Sequence, residues 1–194
     1  MKSAVPSHFS LTVSSTWTPG RPIALATPSG RQLTSSLGVL SFCSHKGSAL
    51  SNVVIHIPQT DAELEACFGA FAVLRPHLTV AQFLPQVRRQ ELQGYKIAAI
   101  KDAEQVVSAA GFRFCEFLAW GRVLYIDDLT TLPSARGKGY AGALLDWLTE
   151  QAAQQGCDAV HLDTGYTRHA AHRLYLSKGF EMTSHHMAKL IAKG

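Results

Sequence analysis

Two adjacent carboxylates, Asp127 and Asp128, end the apolar run Val123-Leu124-Tyr125-Ile126, and the glycine turn Arg136-Gly137-Lys138-Gly139 follows shortly after. Beyond the turn, Ala141, Leu144, Leu145 and Leu148 recur at helical spacing, so the segment reads as strand, glycine turn and helix N-terminus. Glycines there let the backbone approach a ligand closely, and the first helical turn leaves its amides without partners. With the helix dipole and two basic side chains, this makes a seat for a pyrophosphate. A carboxylate at the strand end could take a proton from a nucleophile. Adjacent side chains on an extended strand face opposite ways, which admits one of the two aspartates to a cleft, and Asp127 is preferred.

Three motifs could own such a turn. A P-loop needs Ser or Thr after its Lys to hold magnesium, and Gly139 stands there instead. Gly137-x-Gly139-x-x-Gly142 matches the dinucleotide fingerprint literally. Four residues, Pro133 to Arg136, separate it from its strand, however, and too little chain remains for a doubly wound sheet. The third pattern is Arg/Gln-x-x-Gly-x-Gly/Ala, which Arg136-Gly137-Lys138-Gly139-Tyr140-Ala141 fits throughout.

The elements that must position these groups begin near Asn52. Val53 to Ile57 form a short strand ended by Pro58. Thr60 or Asp61 caps a helix with the apolar face Leu64, Cys67, Phe68, Phe71 and Leu74, stopped before Pro76. A helix from Thr79 to Leu92 follows, then strands Tyr95–Ile100 and Val106–Phe117 joined by a turn at Lys101 to Glu104. After the Val123 strand and the long helix ending near Gly156 come a strand at Ala159 to Leu162 and a helix from about Thr167 to Ser177. Last strands containing Met187, Leu190 and Ile191 complete the order.

Residues 1–51 differ in kind: no Asp or Glu occurs before Asp61, and Ser, Thr, Pro and Gly are dense. That composition buries too little apolar surface to fold and is expected to be disordered. It also resembles an organelle transit peptide, though no amphipathic Arg-rich helix can be drawn. A start site later than Met1 is a third reading. The domain proper is 52–194.

The net charge of +4 is mild and forms no basic run, which points away from nucleic acid and toward a small anionic ligand. Cys43, Cys67, Cys115 and Cys157 are scattered, as core residues of a reducing, cytoplasmic compartment would be. No apolar stretch reaches the roughly 18 residues of a membrane span. His169 and His172 stand at i, i+3, and His185 and His186 are adjacent. The first spacing suits a metal on a helix but is read as surface residues, and the second pair diverges on a strand with no acidic partner spaced for it, so no metal is expected.

The Arg136 to Ala141 motif resembles the acyl-CoA-binding motif of the GNAT (Gcn5-related) N-acetyltransferases. A second stretch, Arg168 to Phe180, resembles that family's closing signature Asn-x-x-Ala-x-x-x-Tyr-x-x-x-Gly-Phe, with Ala171, Tyr175, Gly179 and Phe180 in register. The resemblance covers roughly Asn52 to Lys193. It implies an α/β fold, a mixed, mostly antiparallel sheet with helices on both faces, and acetyl-CoA as co-substrate. It further implies that the backbone of Leu129, Thr130 and Thr131 pairs with the pantetheine arm beside a splayed neighbour strand, and that Tyr175 protonates the departing thiolate. Arg168 replaces the Asn that contacts the cofactor, where it could meet a phosphate. The resemblance implies a small-molecule or peptide amine as acceptor, and dimers are common in the family. The alternatives are a non-catalytic acyl-CoA-binding regulatory module and, through the fingerprint match, a nucleotide-binding oxidoreductase.

Overall fold

The computed structural model describes residues 53–192. The Ser-rich extension at residues 1–51 lies outside the described residues. Five strands follow one another across a single sheet: β1 (Ile55–His56), β2 (Lys96–Asp102), β3 (Gln105–Phe117), β4 (Gly121–Thr131) and β5 (Ala159–Leu162). The first four are antiparallel and β5 is parallel to β4, so the sheet is mixed, as expected. A parallel neighbour requires a crossover, and α4 (Tyr140–Gln154) supplies it.

Alternate residues of the sheet face two separate cores. Ala98, Ile100, Ala110, Phe112, Leu124 and Ile126 pack under Leu144, Leu145 and Leu148 of α4. On the same side lies α5 (His169–Ser177), with Leu174 and Tyr175 against that core. Ile97, Ala99 and Ala109 face the other way, onto α1 (Asp61–Ala66), α2 (Phe68–Leu74) and α3 (Val80–Glu91) through Leu64, Phe71, Phe83 and Val87. The continuous apolar runs of β2 and β3 therefore reflect burial on both faces.

The structure departs from the sequence reading in three places. The first helix breaks at Cys67, where the chain tightens: the Cys67 amide donates to Leu64 O and the Ala70 amide to Cys67 O, both over three residues. The first strand shrinks to Ile55–His56, since it is an edge strand with a partner on one side and Pro58 ends it. The last strands do not form among the described residues. After Gly179 the chain is held by side chains instead, His185 Nδ1 to the Tyr166 hydroxyl at 3.1 Å and His186 Nδ1 to Asp163 at 3.2 Å. Met182, Met187, Leu190 and Ile191 stay exposed and do not alternate with polar residues as a half-buried strand would. No described helix is long and apolar enough to cross a membrane.

Candidate active site

β4 carries the site because it changes partners along its length. From Val123 to Ile126 it pairs with Ala159 to Leu162, and beyond Ile126 that pairing stops while pairing to β3 continues to Thr131. Among the described residues, the edge of β4 from Asp127 onward is thereby left without a strand beside it. A cleft of about 1280 Å³ opens at the divergence, lined by Asp127, Leu129, Leu162, Arg168, Ala171 and Tyr175 among others. Thr130 and Thr131 are turned away. The Thr130 hydroxyl donates to Ala70 O at 2.8 Å, and buried Ser108 holds both Thr130 O and the Thr131 hydroxyl at 2.8 Å.

Past β4, a short 3₁₀ turn (Pro133–Ala135) leads into the glycine turn. Gly137 and Gly139 have φ of 77° and 88°, the left-handed region that an L side chain adopts only with strain, which is why glycine stands at both positions. Gly139 is the N-cap of α4 and offers no side-chain cap. Among the described residues, no main-chain amide from Gly137 to Gly142 donates a hydrogen bond; the first donor is Ala143, to Gly139 O. A row of free N–H groups at the positive end of a 15-residue helix is an anion seat. Lys138 and Tyr140 lean back onto Asp102 at the β2–β3 turn, at 3.5 and 3.0 Å, and Arg136 Nε reaches Thr131 O at 3.5 Å.

A β-bulge sits at Asp127, and of the two aspartates Asp127 alone lines the large cleft. Gly111 pairs with Asp128 and Phe112 with Ile126, so Asp127 is the extra residue of β4. The strict alternation of side chains is broken there, and both carboxylates border a second cavity of about 330 Å³ under α2 and α3. They are not equivalent. Asp128 has both oxygens engaged: Oδ1 accepts from Arg75 Nε at 2.8 Å and Oδ2 from the Tyr95 hydroxyl at 2.9 Å. Asp127 uses Oδ2 for Arg113 Nε at 2.9 Å, and among the described residues nothing donates to its Oδ1. The Arg113 guanidinium also lies 5.6 Å from the centre of the Tyr95 ring.

Tyr95 and Arg113 were not legible as site residues. Tyr95 fits only because Gly111 lies beneath it: a Cβ there would stand 1.9 Å from the Tyr95 hydroxyl. Burial, and then the neighbouring Asp128, push the Tyr95 phenol well above its ordinary range, so it remains a donor. A signal for Arg113 does exist, a charge set between Phe112 and Phe114. Arg75 also belongs to the centre, through Asp128 Oδ1 and Asp127 O.

Tyr175 projects from α5 with its ring 5.8 Å from that of Phe180. Burial pushes its phenol above the ordinary value of 10, and Arg168 pulls it back in part. It is therefore a protonated hydroxyl at neutral pH, bordering the same cleft as Asp127. His169 and His172 face each other, with His172 Nε2 3.0 Å from Gly165 O. Trp147 packs on Phe112, whereas Trp120 stacks on His161 and is partly exposed.

The mixed α/β sheet is split at one strand, and a free-amide helix terminus, a carboxylate and a phenol stand around the split. The acetyltransferase (GNAT) family model matches residues 59–180, and the chain belongs to that family. It is 28% identical over 136 residues to the uncharacterized N-acetyltransferase YhdJ of Bacillus subtilis (strain 168), an alignment covering 68% of this chain and 96% of that one. A shorter stretch of 66 residues, 34% of this chain and 43% of the relative, is 35% identical to the aminoalkylphosphonate N-acetyltransferase of Salmonella typhimurium. Among solved structures, a transcriptional regulator from Bacillus halodurans C-125 superposes with a TM-score of 0.62 at 22% identity, covering 72% of this chain and all of that one. The aminoglycoside N-acetyltransferase AAC(6')-Iy, in complex with CoA, gives 0.60 at 18% identity, covering 74% and 98%. Both likenesses concern the fold. The chain is an N-acetyltransferase by family.

Proposed function

We propose that this enzyme moves the acetyl group of acetyl-CoA directly to a primary amine of a small molecule or peptide, in the cytoplasm, with residues 52–194 as the catalytic domain. The observation that carries this reading is the row of undonated amides from Gly137 to Gly142, at the head of α4 and past the strand edge that β5 leaves open. The diphosphate of coenzyme A fits those amides and the helix dipole. Its pantetheine arm takes the vacant place beside Leu129 to Thr131. Arg168 and Ala171 border the cleft from α5, where Arg168 offers a cation to a phosphate.

An alkyl ammonium is mostly protonated at neutral pH and must lose a proton before it attacks. Asp127, with Oδ1 free, takes that proton, directly or through one water. The amine nitrogen then bonds to the thioester carbonyl carbon, the C–S bond breaks, the thiolate takes the Tyr175 proton, and the second proton shed by the acylated nitrogen passes through solvent to the Tyr175 phenolate. Arg113 fixes Asp127 without occupying its second oxygen, which makes it a positioning residue. Asp128, saturated by Arg75 and Tyr95, anchors the bulge. The test is free-thiol release from acetyl-CoA across an amine panel, with the full chain and with one starting at Val53. Tyr175→Phe should keep coenzyme A affinity and lose turnover at least tenfold. Unchanged turnover in Tyr175→Phe refutes its role as the acid.

A further inference from the structure

The glycine turn needs a restraint that its own residues cannot give. Gly137 and Gly139 carry no side chain to hold their left-handed conformations, and Gly139, as N-cap, supplies no side-chain hydrogen bond to the first turn of α4. The restraint comes from 36 and 38 residues earlier in the chain. Lys138 Nζ and the Tyr140 hydroxyl, on either side of the N-cap, converge on one oxygen, Asp102 Oδ2, at 3.5 and 3.0 Å. Asp102 ends β2 opposite Gln105, and the hairpin loop after it contains Ala103, the one non-glycine residue at positive φ (52°) among the described residues. The β2–β3 register slips between Ile100 and Lys101, and Val107, left without a partner strand residue, accepts from the Leu132 amide at 2.8 Å. The hairpin thus grips the passage from β4 to α4 twice, by main chain at Leu132 and by side chains at Lys138 and Tyr140.

The two side-chain limbs differ in strength. The Lys138 limb is long and its partners are 54% and 48% exposed, so it contributes little. The Tyr140 limb is a hydroxyl-to-carboxylate hydrogen bond, and the Tyr140 ring packs partly buried against the core under α4. The hydrogen bond to Asp102, more than burial, pushes the Tyr140 phenol above its ordinary value of 10, so the hydroxyl stays a donor. We infer that Asp102 is a positioning residue for the coenzyme, a role that rests on the coenzyme reading above: through Tyr140 it fixes the glycine turn before the diphosphate arrives, and it keeps Lys138 beside the amide row. A seat ordered in advance loses less freedom on binding and so binds more tightly.

The full chain is titrated calorimetrically with coenzyme A as the parent, Asp102→Ala, Tyr140→Phe, the double variant and Asp102→Asn, and the thermal unfolding of each is recorded. Asp102→Ala and Tyr140→Phe should each weaken coenzyme A about three- to tenfold, and the double variant no further than the weaker of the two, because both remove one contact. Asp102→Asn, whose amide oxygen still accepts from Tyr140, should stay within about twofold of the parent. A purely structural Asp102 would instead lower the unfolding midpoint and leave the affinity of the folded protein unchanged. Unchanged affinity in Asp102→Ala, losses that add in the double variant, or an Asp102→Asn protein as weak as Asp102→Ala overturns the role of Asp102 and leaves the coenzyme reading in place. No heat with the parent overturns both.

Discussion

Replacing each aspartate by asparagine should separate two residues that the sequence presents as twins. In Asp128→Asn the Arg75 guanidinium loses its charge partner, while the amide oxygen can still accept from Tyr95. Breaking a buried ion pair costs about 3–5 kcal/mol, and an exposed one about 0–1 kcal/mol. Asp128 is 12% exposed but Arg75 is 42% exposed, so water can solvate the orphaned arginine and the cost falls to about 1–3 kcal/mol. At roughly 2–4 °C per kcal/mol for a domain of this size, Tm should drop by about 2–12 °C. Turnover should stay within tenfold of the parent. Asp127→Asn replaces the carboxylate whose Oδ1 has no donor among the described residues, and loss of a general base is worth about 10²–10⁴ in rate. Arg113 keeps its contact with the Tyr95 ring, so stability should change by about 1 kcal/mol. Thermal unfolding by circular dichroism and thiol-release kinetics at saturating acetyl-CoA give both numbers. A kcat in Asp128→Asn as low as in Asp127→Asn, or an Asp127→Asn enzyme within threefold of the parent, would refute the division of roles.

Gly111→Ala would drive Tyr95 off the bulge, since the added carbon stands 1.9 Å from its hydroxyl. Overpacking of this kind costs about 1–3 kcal/mol, and the loss should appear as a lower denaturant midpoint with an unchanged m-value. Glu63 accepts from the Thr60 and Gln59 amides, which hold its carboxyl down to about 2 from 4.5. A depressed folded-state value means stabilisation present above pH 4.5 and lost as pH falls from 4.5 toward 2, so Glu63→Gln should flatten the acid limb of a stability–pH curve. Burial pushes the Cys67 thiol up to about 12, so iodoacetamide at pH 8 should label Cys157 readily while Cys67 reacts only after unfolding.

Much of the fold was written in local pattern. The helical recurrence of Leu144, Leu145 and Leu148 and the apolar runs of β2 to β4 survive because both faces of the sheet are covered, which the length and composition of those runs already imply. The glycine turn was legible for the same reason: positive φ at Gly137 and Gly139 demands that residue type. The site centre was less so. Whether Asp127 and Asp128 share a face depends on a one-residue bulge set by pairing with β3, and no local pattern in β4 encodes it. Tyr95 and Arg113 reach the aspartates across 33 and 14 residues of sequence, through the space that Gly111 vacates. The expected terminal strands failed because pairing needs a register as well as apolar residues, and Met182 to Ile191 carry no alternation to set one.

Free backbone amides at the head of α4 are proposed to hold the coenzyme. Calorimetric titration of the full chain with coenzyme A, beside NAD as control and beside Gly139→Ala, tests this most directly. Single-site binding of coenzyme A, none of NAD, and about five- to thirtyfold weaker binding in Gly139→Ala are expected, the last from about 1–2 kcal/mol for a left-handed L-residue. No heat with coenzyme A, or equal affinity in Gly139→Ala, would contradict it.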